Sequence, residues 1–319
     1  MVANPVRGVD YPATYQQLLE WFPDDAACLE YLARLRWPDG FVCPACGGSE
    51  HWRTGAGLWM CRACQRRTSV TAGTIFHRTR TPLSTWFAAI WFLTSQKNGM
   101  SALGLQRVLG FGSYETAWAW MHKLRRAMVR PERDRLAGIV ELDETMIGGV
   151  TAGSGGGYGD KLAVMIAVEH TQIRRLGRVR LAVAQRPGTM ELVDFATQVI
   201  EPGSTIRTDG ARTLRRLADL GYRHEFTLGY AAPDKASVLP GVHLVASLLK
   251  RWLIGPLHYR VEEQHLPYYL DEYTFRFNRR TAKSRGLLFY RLLEQAVATD
   301  PHPLKNLLKP GYPQEPDFA

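Results

Sequence analysis

The chain has 319 residues, enough for two domains and a small third, and 45% of them are apolar, enough to build their cores. Forty Lys and Arg against 30 Asp and Glu leave a formal net charge of +10, a balance that favours a polyanionic partner, nucleic acid before an anionic membrane surface. No apolar run is long enough to span a bilayer and the opening MVANPVRGVDYPATY does not read as a signal peptide, so no membrane partner is expected and the expected location is the cytoplasm, in association with the nucleoid.

Residues 12–36 predict two short helices separated by FPDD, with Asp24 or Asp25 as the cap of the second. A loop-rich unit follows, in which Cys43, Cys46, Cys61 and Cys64 form C-x2-C-x14-C-x2-C. Each pair makes a knuckle, and the gap fits a short hairpin that returns the chain. Four thiolates in tetrahedral geometry favour a structural Zn²⁺. Two matched pairs suit a closed structural site better than one redox C-x-x-C. His51 fits neither knuckle, and Cys28 is expected to be a buried free thiol. Arg62, Arg66 and Arg67 stand beside the ribbon as candidate phosphate contacts.

Residues 83–96 predict a helix capped by Ser84. Residues 101–109 and 114–128 predict two helices around a Gly-containing turn, a helix-turn-helix pattern that a plain helical connector would share. From His51 to Tyr114 there is no Asp or Glu, while Arg53, Arg62, Arg66, Arg67, Arg78, Arg80, Lys97 and Arg107 fall in the same span. A basic run with no acids to neutralise it points to nucleic-acid contact.

After a polar linker the texture changes. IVELDETMI reads as a strand, and VTAGSGGGYGDK as a glycine loop. KLAVMIAVEH and RVRLAVAQR are strands, TMELVDFATQVI a helix, STIRTDG a strand, ARTLRRLADLG a helix and YRHEFTL a strand. GVHLVASLLKRWLIG is an apolar-striped helix. Strands and helices in this order predict a mixed-sheet α/β or α+β domain. The tail from Asp300 reads as an extended arm.

Period-two alternation puts Glu141 and Asp143 on one face of their strand and Leu142 and Glu144 on the other. An acid inside an apolar strand is costly unless paired or metal-bound. Asp209 ends a strand before Gly210, where open sheets place ligand sites, although a turn or capping role would suit either acid alone. Together on strand ends the two suggest a divalent-cation site for phosphoryl chemistry. His243 is an imidazole on an apolar helix, seven residues before Lys250 and so on the same helical line.

The motifs CPACGG…CRACQRRTSVTAGTIFHRTRTPLSTW, VELDETMIGG, RTDG, SLLKRWLIG and YLDEYTFRFNRR, taken in order, resemble the DDE-type transposases of bacterial insertion sequences, in particular the ISXO-like group with an N-terminal zinc ribbon. The resemblance covers roughly residues 37–297. It implies a ribonuclease-H-like catalytic domain, two catalytic Mg²⁺ or Mn²⁺ ions, and cutting and joining of double-stranded DNA at element ends by a homo-oligomer. By the resemblance, Asp143 and Asp209 match the family's first and second acids. The place of the third, seven residues before a Lys or Arg, is taken by His243, so the chain departs from the usual Glu or Asp. Glu262, Glu263, Asp271 and Glu272 are the acids that could substitute. Lys250 and Arg251 are expected to hold phosphate, and Arg276, Arg279, Arg280, Lys283 and Arg285 to form a second basic surface.

The expected organisation is a multidomain α/β chain: a helical segment over 1–36, a zinc ribbon over 37–78, a helix-turn-helix-like region over 82–130, a ribonuclease-H-like domain over 138–297 and a tail over 298–319. The expected activity is end binding with metal-dependent DNA cleavage and strand transfer. Two other readings are a zinc-ribbon DNA-binding regulator with a catalytically dead second domain, and a nuclease that hydrolyses without joining.

Overall fold

The computed structural model describes residues 8–130, 133–148, 161–172, 175–185, 189–228, 238–257 and 262–308. The glycine loop expected after the first long strand and the last residues of the tail lie outside them. Chain contacts divide the protein into two units, one built from residues 8–129 and 281–308 and the other from residues 130–280.

The first unit begins with α1 (Tyr15–Trp21) and α2 (Asp25–Arg36). Thr14 caps α1 by accepting the Gln17 N–H at 3.1 Å, and Asp24 caps α2 by accepting the Ala27 N–H at 2.8 Å. Strands β1 (His51–Arg53), β2 (Trp59–Cys61) and β3 (Arg67–Thr68) form an antiparallel ribbon. Helix α3 (Leu83–Ser95) is buried almost all round. Ser84 does not cap it as expected. Its start follows Pro82, and the Asp25 carboxylate accepts the Leu83 and Ser84 N–H groups at 2.9 and 3.0 Å. A residue far away in sequence therefore supplies the cap. Burial opposes ionisation of Asp25, but the Ser84 and Leu83 N–H groups and the Ser84 hydroxyl hold its carboxyl below the ordinary value. Helices α4 (Ala102–Leu109) and α5 (Tyr114–Arg126) follow, joined through Gly110 in the left-handed region. Trp86 of α3 stacks on Trp120 of α5 with centroids 3.4 Å apart.

The second unit is a five-stranded sheet with helices on both faces. Its elements in chain order are β4 (Ile139–Ile147), β5 (Leu162–Gln172), β6 (Arg175–Val183), α6 (Thr189–Val199), β7 (Thr205–Thr208), a 3-10 turn at Arg212–Arg215 running into α7 (Arg216–Asp219), β8 (Arg223–Phe226), α8 (Pro240–Leu257) and α9 (Leu266–Asn278). The strand order is β6-β5-β4-β7-β8. The first three strands are antiparallel, and β7 and β8 extend the sheet in parallel with β4. This is the ribonuclease-H-like mixed sheet expected from the sequence. On one face Val164, Ile166, Val168 and Val179 pack against Val242, Val245, Leu249 and Leu253 of α8 and against Leu270 and Tyr273 of α9. On the other, Val140, Leu142, Met165 and Ala167 pack against Leu192, Val193 and Ala196 of α6 and Leu217 of α7. The two faces of β4 alternate between these cores, as period-two burial requires.

The chain then adds α10 (Arg285–Ala296) and α11 (Leu304–Leu307) to the first unit. Phe289 of α10 meets Phe22, Phe87 and Trp91. The stretch expected to begin an extended arm is instead folded: α11 packs on α5, and His302 and Leu307 are buried.

Candidate functional site

The ribbon presents its four cysteines as two matching knuckles. In the first, Gly47 N–H donates to the Cys43 carbonyl at 2.9 Å and Cys43 N–H to the Gly48 carbonyl at 2.9 Å. In the second, Gln65 N–H donates to the Cys61 carbonyl at 3.0 Å and Cys61 N–H to the Arg66 carbonyl at 2.9 Å. The residue after each second cysteine is left-handed, Gly47 at φ 73° and Gln65 at φ 60°. A side chain rarely adopts that region, so Gln65 carries backbone strain that the knuckle imposes. All four sulfurs lie within 4.8 Å of one another, with Cys43 3.6 Å from Cys64 and Cys46 3.6 Å from Cys61. The Ala45 N–H, and with it that of Cys46, brings the Cys43 thiol down to about 6 against its desolvation. Four thiols converging with backbone donors aimed at sulfur fit a structural Zn²⁺. Cys28 is buried and free in α2, as expected. Trp37, Phe41 and Trp59 are the ring cluster beneath the ribbon, too few to form a core alone.

The second constellation lies at one end of the five-stranded sheet. Asp143 is on the α8 face of β4, opposite Ile166 of β5. The parallel register pairs Ile139 with Thr205 and Glu141 with Arg207. Continued two residues, the same register sets Asp209 beside Asp143. Asp209 is exposed just past β7, and its carboxylate accepts the Ala211 N–H at 3.2 Å. Gly210 turns the chain there at φ +89°, and a Cβ on it would lie 2.8 Å from Leu228 and 2.9 Å from Phe226, so only glycine allows this turn. The Thr208 hydroxyl braces it, accepting the Gly210 N–H at 3.2 Å and meeting His224 Nε2 at 2.8 Å. His243 is exposed on the first turn of α8, and Lys250 is half-buried two turns on.

These side chains act on one another. Desolvation pushes the Asp143 carboxyl up to about 6. The Glu144 N–H, donating to Asp143 Oδ1 at 2.8 Å, opposes the rise; the Asp209 charge adds to it, and His243 draws it back. Glu144 Oε2 is buried without a hydrogen-bond partner among the described residues. Glu144 itself lies on the opposite face of β4 from Asp143. Among the described residues, the four cysteines are the group of three or more His, Cys, Asp or Glu whose ligand atoms all lie within 4.8 Å of one another, so Asp143, Asp209 and His243 are neighbours at one end of the sheet and are not drawn together as tightly as the thiols are. Among the acids considered as substitutes for His243, Glu272 is fully buried in α9 and holds Arg276 at 2.8 Å, and Glu262 lies 3.2 Å from His265. Among the described residues, the charges that bear on Asp143 are those of Asp209, His243 and Glu144.

The basic side chains divide into two sets. Arg62, Arg66 and Arg67 are exposed on the ribbon, and Arg62 lies 3.4 Å from Glu50. Arg251 is exposed on α8. The arginines in and just after α9 have partners within the fold. Arg276 binds buried Glu272; Arg279 donates to the Phe275 carbonyl and lies over its ring; Arg280 donates to the Gly177 and Leu176 carbonyls and lies over Phe277. Sequence reasoning saw their charge but not these carbonyls, some of which belong to a strand about a hundred residues away. It also gave no function to Glu141, Thr208 or His224, for which no local pattern speaks.

Among the described residues no helix is long and apolar enough to cross a membrane. Residues 135–278 match the ISXO2-like transposase domain, and residues 23–67 match the transposase zinc-ribbon domain. The chain is also 26% identical over 293 residues to an uncharacterized protein in transposable element ISH50 of Halobacterium salinarum, an alignment that covers 81% of this chain and 92% of that protein.

Proposed function

We propose, for a chain that matches the transposase zinc-ribbon domain ahead of the ISXO2-like transposase domain, a transposase that binds element ends, cleaves DNA there and joins the freed ends to target DNA. The observation that carries this reading is the parallel register of β4 and β7, which brings Asp209 alongside Asp143 at the end of the sheet on which α8, bearing His243, is packed. Asp143, Asp209 and His243 would hold the catalytic divalent ions. When bound, such ions supply activation of the attacking oxygen and stabilisation of the leaving 3′-oxygen. Lys250 and Arg251 hold the phosphate beside the site. In cleavage, water attacks phosphorus, a new P–O bond forms, and the 3′-oxygen leaves as a hydroxyl. In joining, that 3′-hydroxyl attacks a target phosphate and displaces the target's 3′-oxygen. Both are in-line displacements, so one set of ligands serves both.

The ribbon and the α4–α5 pair supply end binding, and the protein works as a homo-oligomer on DNA. Arg66, Arg67, Arg78, Arg80, Lys97 and Arg107 are all exposed, and among the described residues none of them has an ion pair. Each phosphate they neutralise releases counterions, so binding weakens with salt. In the full chain, replacing Arg66 and Arg67 together by Ala lowers the slope of log affinity against log salt by about two. An unchanged slope places the contacts elsewhere.

Strand transfer tests the enzyme class. A precut end bearing a 3′-hydroxyl, incubated with full-length protein, Mn²⁺ and plasmid target, yields joined product. Hydrolysis of an uncut end without any joining of the precut one would identify a nuclease. No reaction on either, with end binding intact, would identify a DNA-binding regulator.

A further inference from the structure

Glu141 is a carboxylate in a place where a core side chain would be expected. It lies two residues before Asp143 on the same face of β4 and is 2% exposed. Its two oxygens have separate partners. Oε2 accepts the Val242 backbone N–H at 2.9 Å, at the first turn of α8. Oε1 lies 2.9 Å from Nε2 of His170, a largely buried imidazole on β5, although the angle there does not make a hydrogen bond. His170 pairs with Ile139 and Glu141 with Val168, so the two side chains are diagonal neighbours on one face of the sheet. The helix start sits directly against them. A Cβ on Gly241 would lie 2.8 Å from Glu141 Oε2, 3.1 Å from His170 Nε2 and 3.0 Å from Leu176 Cδ2. Only the absence of a side chain at 241 lets α8 begin this close to the strand.

The position matters because the residues on either side of the contact are the candidate ligands. Val242 is next to His243, and Glu141 shares its strand face with Asp143. A hydrogen bond from a backbone N–H to a buried carboxylate is charge-assisted and short-range. The positive end of the α8 dipole adds to it. An unsatisfied carboxylate in that core would be expensive, so the contact resists sliding of the helix along the sheet.

We propose that Glu141, lying beside His170 and approached through Gly241, is a positioning residue that, by accepting the Val242 N–H, fixes the first turn of α8 against β4 and so sets the place of His243 relative to Asp143. Glu141 touches no reacting atom. This inference rests on the reading of His243 as a metal ligand.

The experiment is a Mn²⁺ titration of the full-length protein without DNA, followed by the paramagnetic signal of free Mn²⁺, with thermal melting recorded in parallel. His243→Ala loses tight Mn²⁺ binding. Gly241→Ala, which keeps every candidate ligand, weakens Mn²⁺ binding about ten- to a hundredfold, the range found when groups that orient metal ligands are removed. Glu141→Ala does the same, and Glu141→Gln, which restores an acceptor for the Val242 N–H, recovers most of the loss. A residue that merely stabilised the fold would lower the melting temperature and leave the Mn²⁺ affinity of the folded protein unchanged. If His243→Ala loses Mn²⁺ while Gly241→Ala and Glu141→Ala bind it as wild type does, the positioning role is wrong and the ligand reading survives. If His243→Ala binds Mn²⁺ as wild type does, the ligand reading is wrong and the inference falls with it. Should Glu141→Ala fail to fold, Gly241→Ala decides alone.

Discussion

Asp143→Asn cleaves a labelled end substrate on the order of a thousandfold more slowly than wild type in Mn²⁺, the scale expected when several kcal/mol of charge stabilisation is lost at phosphorus. It nevertheless binds end DNA with wild-type affinity, since Asp143 lies on β4 and not on the exposed basic surface. The same substitution has an unusual effect on stability. Without metal, the folded-state Asp143 carboxyl is raised to about 6 from an ordinary 3.8, chiefly by desolvation. The folded protein therefore keeps a proton over a pH range in which the unfolded chain has released it. Its contribution to stability is present below the ordinary carboxylate value and is lost as pH rises through about 6. At pH 8 the ionised carboxylate is a net cost, so metal-free Asp143→Asn melts no lower than wild type. Wild type alone gains melting temperature on adding Mn²⁺. A mutant less stable than wild type at pH 8, in the absence of metal, would mean that Asp143 serves the fold and not the site.

Removal of the zinc has the second large effect. Wild type carries one zinc per chain, and Cys61→Ser carries none. Cys61 is fully buried between the knuckles, and its sulfur lies 3.6 Å from that of Cys46. Binding of structural zinc contributes roughly 10 kcal/mol or more to folding of such small units. The ribbon has only a few rings beneath it and cannot replace that energy with burial. Cys61→Ser therefore loses the β1–β3 ribbon and most of its DNA affinity, while the five-stranded sheet, with two cores of its own, stays folded. Far-UV circular dichroism, elemental analysis and end binding read the three parts separately. An undiminished zinc content in Cys61→Ser would contradict the four-thiolate site.

Much of this was legible because the signals are local. The four cysteines carry their spacing with them, and IVELDETMI gave β4 its bounds because its apolar alternation ends at Gly148. The helices on either side of Gly110 were expected over 101–109 and 114–128; Ser101 and Ser113 cap them, and they run over Ala102–Leu109 and Tyr114–Arg126, the second ending two residues early. Asp143 and Asp209 were readable as acids at odds with their strands. Long-range pairings were not legible. Nothing near Ser84 indicates that Asp25 takes over the start of α3. Nothing in FRFNRR shows that Arg280 reaches carbonyls of β6, so a run of charge looked freer than it is. Glu141 is the sharpest case. Its partners, His170 and Val242, lie about 30 and 100 residues away, and only the folded sheet brings them to one carboxylate.

The most direct test of the central claim, that Asp143, Asp209 and His243 form one metal site, is cleavage of a labelled end substrate by variants at position 243 in Mg²⁺ and in Mn²⁺. An imidazole is a softer donor than a carboxylate and leaves the site with one fewer negative charge, so the wild-type protein favours Mn²⁺. His243→Ala loses cleavage in both metals while still binding end DNA, as Asp143→Asn and Asp209→Asn do. His243→Glu retains activity with its preference moved toward Mg²⁺. If His243→Ala cuts as well as wild type while both Asp variants are inactive, His243 is not a ligand and the account of the site is wrong.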